Sequence, residues 1–191
     1  RLAKKVTLKW EARDPDKDTL TYAVAISADL GATWKDLKKD ISEPKYEWDT
    51  AQTADGRYLL RLLASDQRSQ PADPQQGETA VVVWVDNAPP TVAIFRSSAV
   101  VSDDRCARVS GIASDKLSPL RSIEYRVDTG EWRSLPLVGI DVQASDFSVA
   151  TDPLDPGERT IQVRAFDAAG NVAWRSVTVT TYAFIARAIS D

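Results

Sequence analysis

Asp14, Asp16 and Asp18 are the residues of this sequence whose type and spacing come closest to a metal site. Oxygen ligands at alternate positions of a curved loop can converge on one hard cation such as Ca²⁺. The rest of such a loop is missing, because Thr19 stands where a glycine would make the sharp turn and Ala25 where a bidentate glutamate belongs. The alternatives are a calcium site completed by a carboxylate from elsewhere in the chain and a solvated acidic turn, and we favour the turn.

The tryptophans offer a second chemistry, because exposed indole faces can stack on sugar rings. The ones expected in the core or beneath a turn are Trp10, Trp34 and Trp132. That leaves Trp48, Trp84 and Trp174 as candidates for a carbohydrate site. Buried aromatic residues are the more usual use of such side chains in small domains, so we hold polysaccharide binding as the second hypothesis.

Composition removes most other chemistry. The chain has no histidine, which is the commonest general base and metal ligand. The single Cys106 lies in a strand-like run, is expected to be a small buried residue, and can form no intrachain disulfide. A net charge of −4 with scattered basic residues argues against nucleic acid as a partner. No segment is apolar for long enough to insert in a membrane. We expect no cofactor, with calcium as the one alternative.

Apolar residues in two neighbouring runs predict a contact surface. In the run 57–66, alternation places Leu59 and Leu63 together on one face, and the run 79–85 is apolar on both faces through residues that include Val82 and Trp84. An exposed apolar patch of this kind usually marks a contact with another domain or protein. The alternative is that a loop or a second domain covers the patch.

The second half of the sequence repeats the pattern of the first. Gly56 and Gly157 match at an offset of 101 residues, as do Tyr46 and Phe147. We also match Tyr22 with Tyr125 in an earlier segment. Two copies of one structural unit explain these correspondences most simply.

Within each copy, apolar residues recur at every second position, which is the period of a strand and not of a helix. Turn residues such as those in Asp14-Pro15-Asp16 and Asp55-Gly56 separate the runs. Short strands at regular spacing indicate an all-β chain of two tandem antiparallel β-sandwiches. The predicted strands are 5–10, 20–28, 33–38, 45–49, 57–66, 79–85, 91–96, 106–113, 122–128, 131–136, 146–151, 159–167 and 172–181.

A proline-rich join separates the two copies. The segment Asp86-Asn87-Ala88-Pro89-Pro90 cannot continue a central strand, because successive prolines lack amide donors. We therefore predict domains at 1–87 and 88–191. Because the chain begins at Arg1 and not at a methionine, we expect it to be part of a larger protein.

The first copy resembles a fibronectin type III domain. The residues that carry the resemblance are Val6-Thr7-Leu8-Lys9-Trp10, Asp14-Pro15-Asp16, Leu20-Thr21-Tyr22 and the run from Gly56 to Ala64. The resemblance implies that the hydroxyl of Tyr58 bonds back to nearby backbone as a tyrosine corner.

The second copy departs from that pattern, with Gly111 in place of Trp10 and Thr160 in place of Tyr58. It resembles bacterial immunoglobulin-like repeats, whose Ala-x-Asp-x-x-Gly-Asn signature begins here at Ala165. The tandem is similar to C-terminal modules of large exported bacterial proteins, including proteins that carry β-propellers. The resemblance implies an extracellular, periplasmic or cell-surface location.

The segment from Ser27 to Trp34 matches the Asp-box, Ser-x-Asp-x-Gly-x-Thr-Trp, of sialidase-like propellers. A single box is a turn device, in which the Asp29 carboxylate accepts hydrogen bonds, Gly31 supplies a positive φ and Trp34 packs beneath. It carries little functional information. A glycosidase is therefore the weakest of three hypotheses.

The favoured hypothesis is a non-catalytic interaction or spacer module, with no enzyme activity, in a larger exported protein. Its partners would be other domains of the same parent protein or another protein. The second hypothesis is a carbohydrate-binding module that accompanies a secreted enzyme.

Overall fold

The computed structural model describes Leu2, residues 4–96 and residues 99–182, and the chain divides into two compact units, Arg1–Ala88 and Pro89–Asp191. No helix in the described residues is long and apolar enough to cross a membrane. In the first unit the strands are β1 (Lys5–Lys9), β2 (Thr21–Ser27), β3 (Lys35–Ile41), β4 (Lys45–Asp49), β5 (Gly56–Ser65) and β6 (Gln76–Val85). In the second they are β7 (Thr91–Ile94), β8 (Val100–Val101), β9 (Ala107–Ser114), β10 (Leu120–Val127), β11 (Arg133–Leu135), β12 (Ala144–Ala150), β13 (Gly157–Asp167) and β14 (Val172–Thr181).

The first unit is a sandwich of two antiparallel sheets. Strands β3, β2, β5 and β6 form the larger sheet in that order, and β1 pairs with β4 to form a smaller sheet of two strands. Alternation along the strands turns Tyr22 and Val24 of β2 toward the small sheet, where they pack with Leu8. Ile26, Trp48 and Val85 form a neighbouring buried cluster.

The second unit has the same two-layer architecture with a wider small sheet. Strands β11, β10, β13 and β14 form one sheet, and β12, β9 and β7 form the other, with β8 also pairing with β9. One continuous core lies between the sheets and includes Val109, Ile123, Ile161 and Val163, all at 0% exposure.

The predicted fold class, all-β with antiparallel sandwiches, is confirmed by these sheets. The sequence missed β8 and a short 3₁₀ turn at Thr50–Gln52, because segments of two or three residues are too short to show a period. The match of Tyr22 with Tyr125 was wrong. Tyr22 pairs with Ala64, whose counterpart Ala165 pairs with Ile123, so Tyr22 corresponds to Ile123.

The tyrosine corner that the fibronectin resemblance implied is present. The Tyr58 hydroxyl donates a hydrogen bond of 2.8 Å to the Ala54 carbonyl oxygen, four residues earlier in the chain. This bond ties the start of β5 to the segment that follows the 3₁₀ turn.

Candidate functional site

The turn from Ser27 to Trp34 joins β2 to β3 and is closed by its own side chains. The Asp29 carboxylate accepts bonds from the Thr33 amide at 2.9 Å, the Thr33 hydroxyl at 2.6 Å and the Ser27 hydroxyl at 2.7 Å. Gly31 adopts a φ of 97°, and its amide donates to the Ser27 hydroxyl oxygen. Every polar group of the turn named here is engaged within the turn, so its arrangement serves folding.

The electrostatics of Asp29 follow from these bonds. Hydrogen bonds from the Thr33 hydroxyl and amide, and then from Ser27, stabilise the ionised carboxylate and lower the pKa of Asp29 to about 2. A general acid needs the opposite shift. The Trp34 ring lies beneath the Arg61 guanidinium of β5 at 4.1 Å, which fastens the turn to the outer face of the larger sheet.

The carboxylates of Asp14, Asp16 and Asp18 do not converge on one point. The Asp14 carboxylate accepts hydrogen bonds from the backbone amides of Asp16 and Asp18, at 2.9 and 3.1 Å. Among the described residues, these three side chains do not form a group whose carboxylate oxygens lie within 4.8 Å of one another. Asp14 thus closes a turn, and calcium binding there stays a prediction without geometric support.

A buried carboxylate pair in the second unit was not foreseen. Asp115 and Asp167 bring carboxylate oxygens within 4.8 Å of each other. Asp115 accepts bonds from the amides of Leu117 and Ser118, and Asp167 accepts from the backbone and side-chain amides of Asn171. Asp167 and Asn171 belong to the Ala-x-Asp-x-x-Gly-Asn segment, so the bonds between them close its turn.

The prediction that Trp48 belongs to a carbohydrate-binding surface was wrong. Trp48 is 2% exposed and packs against Ile26 and Val85 in the core of the first unit. In β4 the charged residues occupy the other parity, with Glu47 and Asp49 exposed, so alternation turns Trp48 inward. The alternation of charged residues in β4 was therefore the sequence signal that Trp48 is buried.

The predicted contact residues share the outer face of β5 and β6. Leu59 lies directly opposite Val82, and Leu63 lies farther along the same face of β5. Val82 is 48% exposed, whereas Leu59, Leu63 and Trp84 are half-buried. A Cβ added at Gly31 would touch Leu59 at 3.7 Å, so the turn between β2 and β3 covers part of this face. Val82 is the most accessible of the four.

The residue next to Val82 was missed. Val81 is 54% exposed although it lies on the inner face of β6, opposite Leu60. It borders an apolar groove of about 280 Å³ that also contains Leu8 and Trp10. The sequence signal was the run of apolar residues on both parities of β6, which was interpreted for one face alone.

Trp174 stands on the outer face of β14 and is 59% exposed. It lies opposite Arg164 of β13, whose guanidinium stacks at 3.9 Å on the Trp132 ring. The same guanidinium bonds the Glu124 carboxylate at 2.6 to 2.7 Å. On this face the Trp174 indole is exposed, whereas the Trp132 ring and the Glu124 carboxylate both contact Arg164.

Hydrogen bonds and desolvation also shift the pKa values of two other carboxyl groups and of the cysteine thiol. The Ser102 hydroxyl lowers the pKa of Asp104, and the Thr160 amide lowers that of Asp128. Desolvation raises the pKa of the Cys106 thiol. Cys106 precedes β9 and is half-buried, not fully buried as expected. A raised pKa disfavours the nucleophilic thiolate.

No family model and no curated protein matches the sequence. Among solved structures, the chain is similar to the fibronectin(III)-like modules of Clostridium thermocellum CbhA, with 20% identity, a TM-score of 0.49, and coverage of 94% of this chain and 86% of that one. It is also similar to the FN1–FN3 domains of chicken CNTN1, with 17% identity, a TM-score of 0.48, and coverage of 94% of this chain and 63% of that one. At these scores neither likeness bears on activity or partners.

Proposed function

We propose that this chain is a non-catalytic interaction module of a larger exported protein, with β6 of the first unit at its contact surface. The observation that carries the proposal is the exposure of two successive valines. Val81 is 54% and Val82 is 48% exposed, and they lie on opposite faces of the same strand.

The position of β6 strengthens this argument. It is one of the two edge strands of the larger sheet, and among the described residues its outer edge pairs at Val85 alone, through a bridge to Leu2. Edge strands that expose apolar side chains invite association, and proteins usually protect them with charges or prolines. Leu59 and Trp84 extend the apolar surface around Val82, so a partner of the same or another polypeptide chain would bury a continuous patch.

Three of the carboxyl groups are unsuited to act as a general acid. A glycosidase needs one carboxyl group with a raised pKa to act as the acid. The hydrogen bonds around Asp29, Asp104 and Asp128 lower the pKa of each, which keeps all three ionised. The Ser27–Trp34 turn matches the Asp-box of sialidase-like propellers, but its polar side chains bond to one another.

A photo-reactive amino acid at position 82 tests the contact surface in the intact parent protein within its host. We expect a discrete cross-linked product from position 82 and none from Thr180, an exposed residue of β14 chosen as the matched position. Equal products from both positions, or none from either, would contradict the proposal. Hydrolysis of a glycoside panel by the purified chain would overturn its non-catalytic part.

A second candidate function is carbohydrate binding, which the exposure of Trp174 favours. An indole that is 59% exposed beside the Arg164–Glu124 pair offers a stacking face next to hydrogen-bonding groups. Affinity electrophoresis in polysaccharide gels tests it, with Trp174→Ala as the variant and Tyr182→Ala, at another exposed aromatic residue of the second unit, as the control. Retardation that Trp174→Ala alone abolishes would support it, and unretarded migration of the wild type in every gel would exclude it.

A further inference from the structure

The outer face of the sheet β11-β10-β13-β14 in the second unit carries a depression of about 440 Å³. Two tryptophans line it, Trp132, which comes directly before β11, and Trp174 of β14. Strand order places these two residues at opposite edges of the sheet, so the depression lies between them. Ligand sites on proteins typically occupy roughly 300–1,000 Å³, and the space is large enough for a sugar residue.

Alternation along the strands brings two arginines to this face. Gln162 and Arg164 of β13 point outward, because Val163 between them is 0% exposed in the core. Arg126 of β10 lies directly opposite Gln162, and Trp174 lies directly opposite Arg164. The two guanidinium groups and the exposed indole therefore share one surface.

The two arginines differ in their electrostatic partners. Arg164 pairs with the Glu124 carboxylate and stacks on the Trp132 ring at 3.9 Å. Arg126 lies over the same ring at 4.7 Å, but its Nε donates to the side-chain oxygen of Gln162, a neutral group, at 2.6 Å. Among the described residues Arg126 forms no ion pair, so its positive charge is not compensated by a carboxylate.

The depression is positively charged although the chain has a net charge of −4. Among the described residues no acidic side chain lines it, and its charged lining consists of Arg126 and Arg164. A guanidinium group is always charged and can bind a carboxylate through two parallel hydrogen bonds. The charge of the lining therefore favours a ligand that carries a carboxylate.

Aromatic and apolar side chains form most of the remaining lining. Trp174 is 59% and Val172 is 41% exposed, and Phe166 lies directly opposite Val172. A pyranose ring presents C–H groups on one face, which pack on an indole ring, and polar groups around its rim. A ligand that suits both the indole of Trp174 and the guanidinium of Arg126 thus combines a saturated ring with a carboxylate.

We infer that this depression binds uronic acid residues of an acidic polysaccharide, with the sugar ring stacked on Trp174 and the carboxylate paired with Arg126. The inference rests on the second candidate function and names its ligand class. Neighbouring strands lie about 4.8 Å apart, so the backbones of β10 and β14, which flank β13, are separated by about 10 Å. The side chains of Arg126 and Trp174 narrow this gap to a width that one ring and its carboxylate can bridge.

The test follows NMR spectra of the whole chain during titration with oligosaccharides that contain uronic acids. Three pools, prepared from polygalacturonate, alginate and hyaluronate, are each compared with their carboxyl-reduced form, in which a hydroxymethyl group replaces the carboxylate. We expect at least one acidic pool to shift the indole N–H of Trp174 and the Nε–H of Arg126. That pool should bind about tenfold or more tightly than its reduced form, because only the acid can pair with the guanidinium.

Substitutions separate recognition of the carboxylate from a general effect of charge. Arg126→Gln should weaken binding of the acidic pool about tenfold or more and leave the weaker binding of its reduced form unchanged. Arg133→Gln is the matched control, because Arg133 is paired with Asp152 and does not line the depression, and it should change neither affinity. Trp174→Ala should weaken binding of both forms, since both stack the same ring on the indole.

Three results would overturn the inference. Equal affinities for an acidic pool and its reduced form would do so and leave carbohydrate binding at Trp174 standing. Equal shifts with a hexaglutamate peptide would show that the depression recognises carboxylates without a sugar ring. Unchanged resonances of Trp174 and Arg126 with every acidic pool would show that no uronic acid binds there. The cross-linking result at Val82 is independent of all three.

Discussion

Gly111 of β9 lies so close to Ala93 of β7 that a Cβ added to the glycine would sit 2.2 Å from the Ala93 carbonyl oxygen. It would also lie 2.4 Å from the edge of the Phe147 ring. Both distances are well inside van der Waals contact. The close approach shows how tightly β7 closes the small sheet of the second unit.

Gly111→Ala should therefore destabilise the second unit. We expect a loss of about 1–3 kcal/mol, because backbone and ring atoms must move to admit the methyl group. The measurement is urea unfolding followed by the fluorescence of the chain. Gly77→Ala is the control, since a Cβ there meets nothing within 4 Å, and it should be neutral or stabilising by up to about 1 kcal/mol. Equal effects of the two substitutions would refute the close packing of β7 on β9.

Tyr58→Phe removes the hydroxyl that donates to Ala54 at 2.8 Å. We expect the free energy of unfolding of the first unit to fall by about 0.5–1.5 kcal/mol, the usual net worth of one such bond. Tyr46→Phe is the control, because its hydroxyl stands 3.5 Å from the Leu37 carbonyl oxygen and makes at best a weak bond. A larger loss from Tyr46→Phe than from Tyr58→Phe would contradict the account of the corner.

Arg164→Lys tests the stacked face of the second unit. The guanidinium stacks on Trp132 at 3.9 Å and bonds the Glu124 carboxylate, and a lysine cannot reproduce both contacts. We expect thermal unfolding to reveal a loss of about 1 kcal/mol. The control is Arg133→Lys, whose ion pair with Asp152 is exposed and should matter by less than about 0.5 kcal/mol. Equal stabilities of the two variants would show that the stacking of Arg164 on Trp132 does not contribute measurably to the free energy of unfolding.

Acid should weaken the turn that contains Asp29. The pKa of Asp29 is lowered in the folded chain from its ordinary 3.8 to about 2 by bonds from Thr33 and Ser27. The ionised carboxylate therefore contributes stability that is fully present above about pH 4 and is lost as the pH falls toward 2. Comparing urea unfolding of the wild type and Asp29→Asn across this range should show a difference that shrinks with acid.

Thr33→Val provides the matching control, because it removes the hydroxyl that is the largest cause of the shift. Titration of the Asp29 carboxyl by NMR should then give a pKa closer to its ordinary value. An unchanged pKa in this variant would show that the Thr33 hydroxyl does not hold the carboxylate ionised.

Alternation predicted the strands because it is a local property. Val6 and Leu8 of β1 turn inward as their spacing required, and charged residues at the other parity, such as Lys5 and Lys9, are exposed. The same rule places Trp48 in the core, since its neighbours Glu47 and Asp49 mark the solvent face. Assigning Trp48 to a surface gave weight to the type of residue and not to its position in the strand.

Pairing between strands could not be predicted in the same way. The pairing of β1 with β4 depends on which strands meet, and no period within β1 encodes its neighbours. The correspondence of Tyr22 with Ile123 likewise emerged from register, because two tyrosines at similar positions gave a false match. Val81 was overlooked because a residue on the inner face of a sandwich is expected to be covered.

Hydrogen exchange along β1 of this chain tests the strand pairing in the two small sheets most directly. The amides of Val6 and Leu8 face β4 and should be protected, whereas those of Thr7 and Lys9 should exchange at rates close to those of unpaired backbone. The amide of Ile112 in β9, which faces β7, should be protected. Protection of Thr7 and Lys9 equal to that of Val6 and Leu8 would contradict the account, because among the described strands β1 pairs with β4 alone.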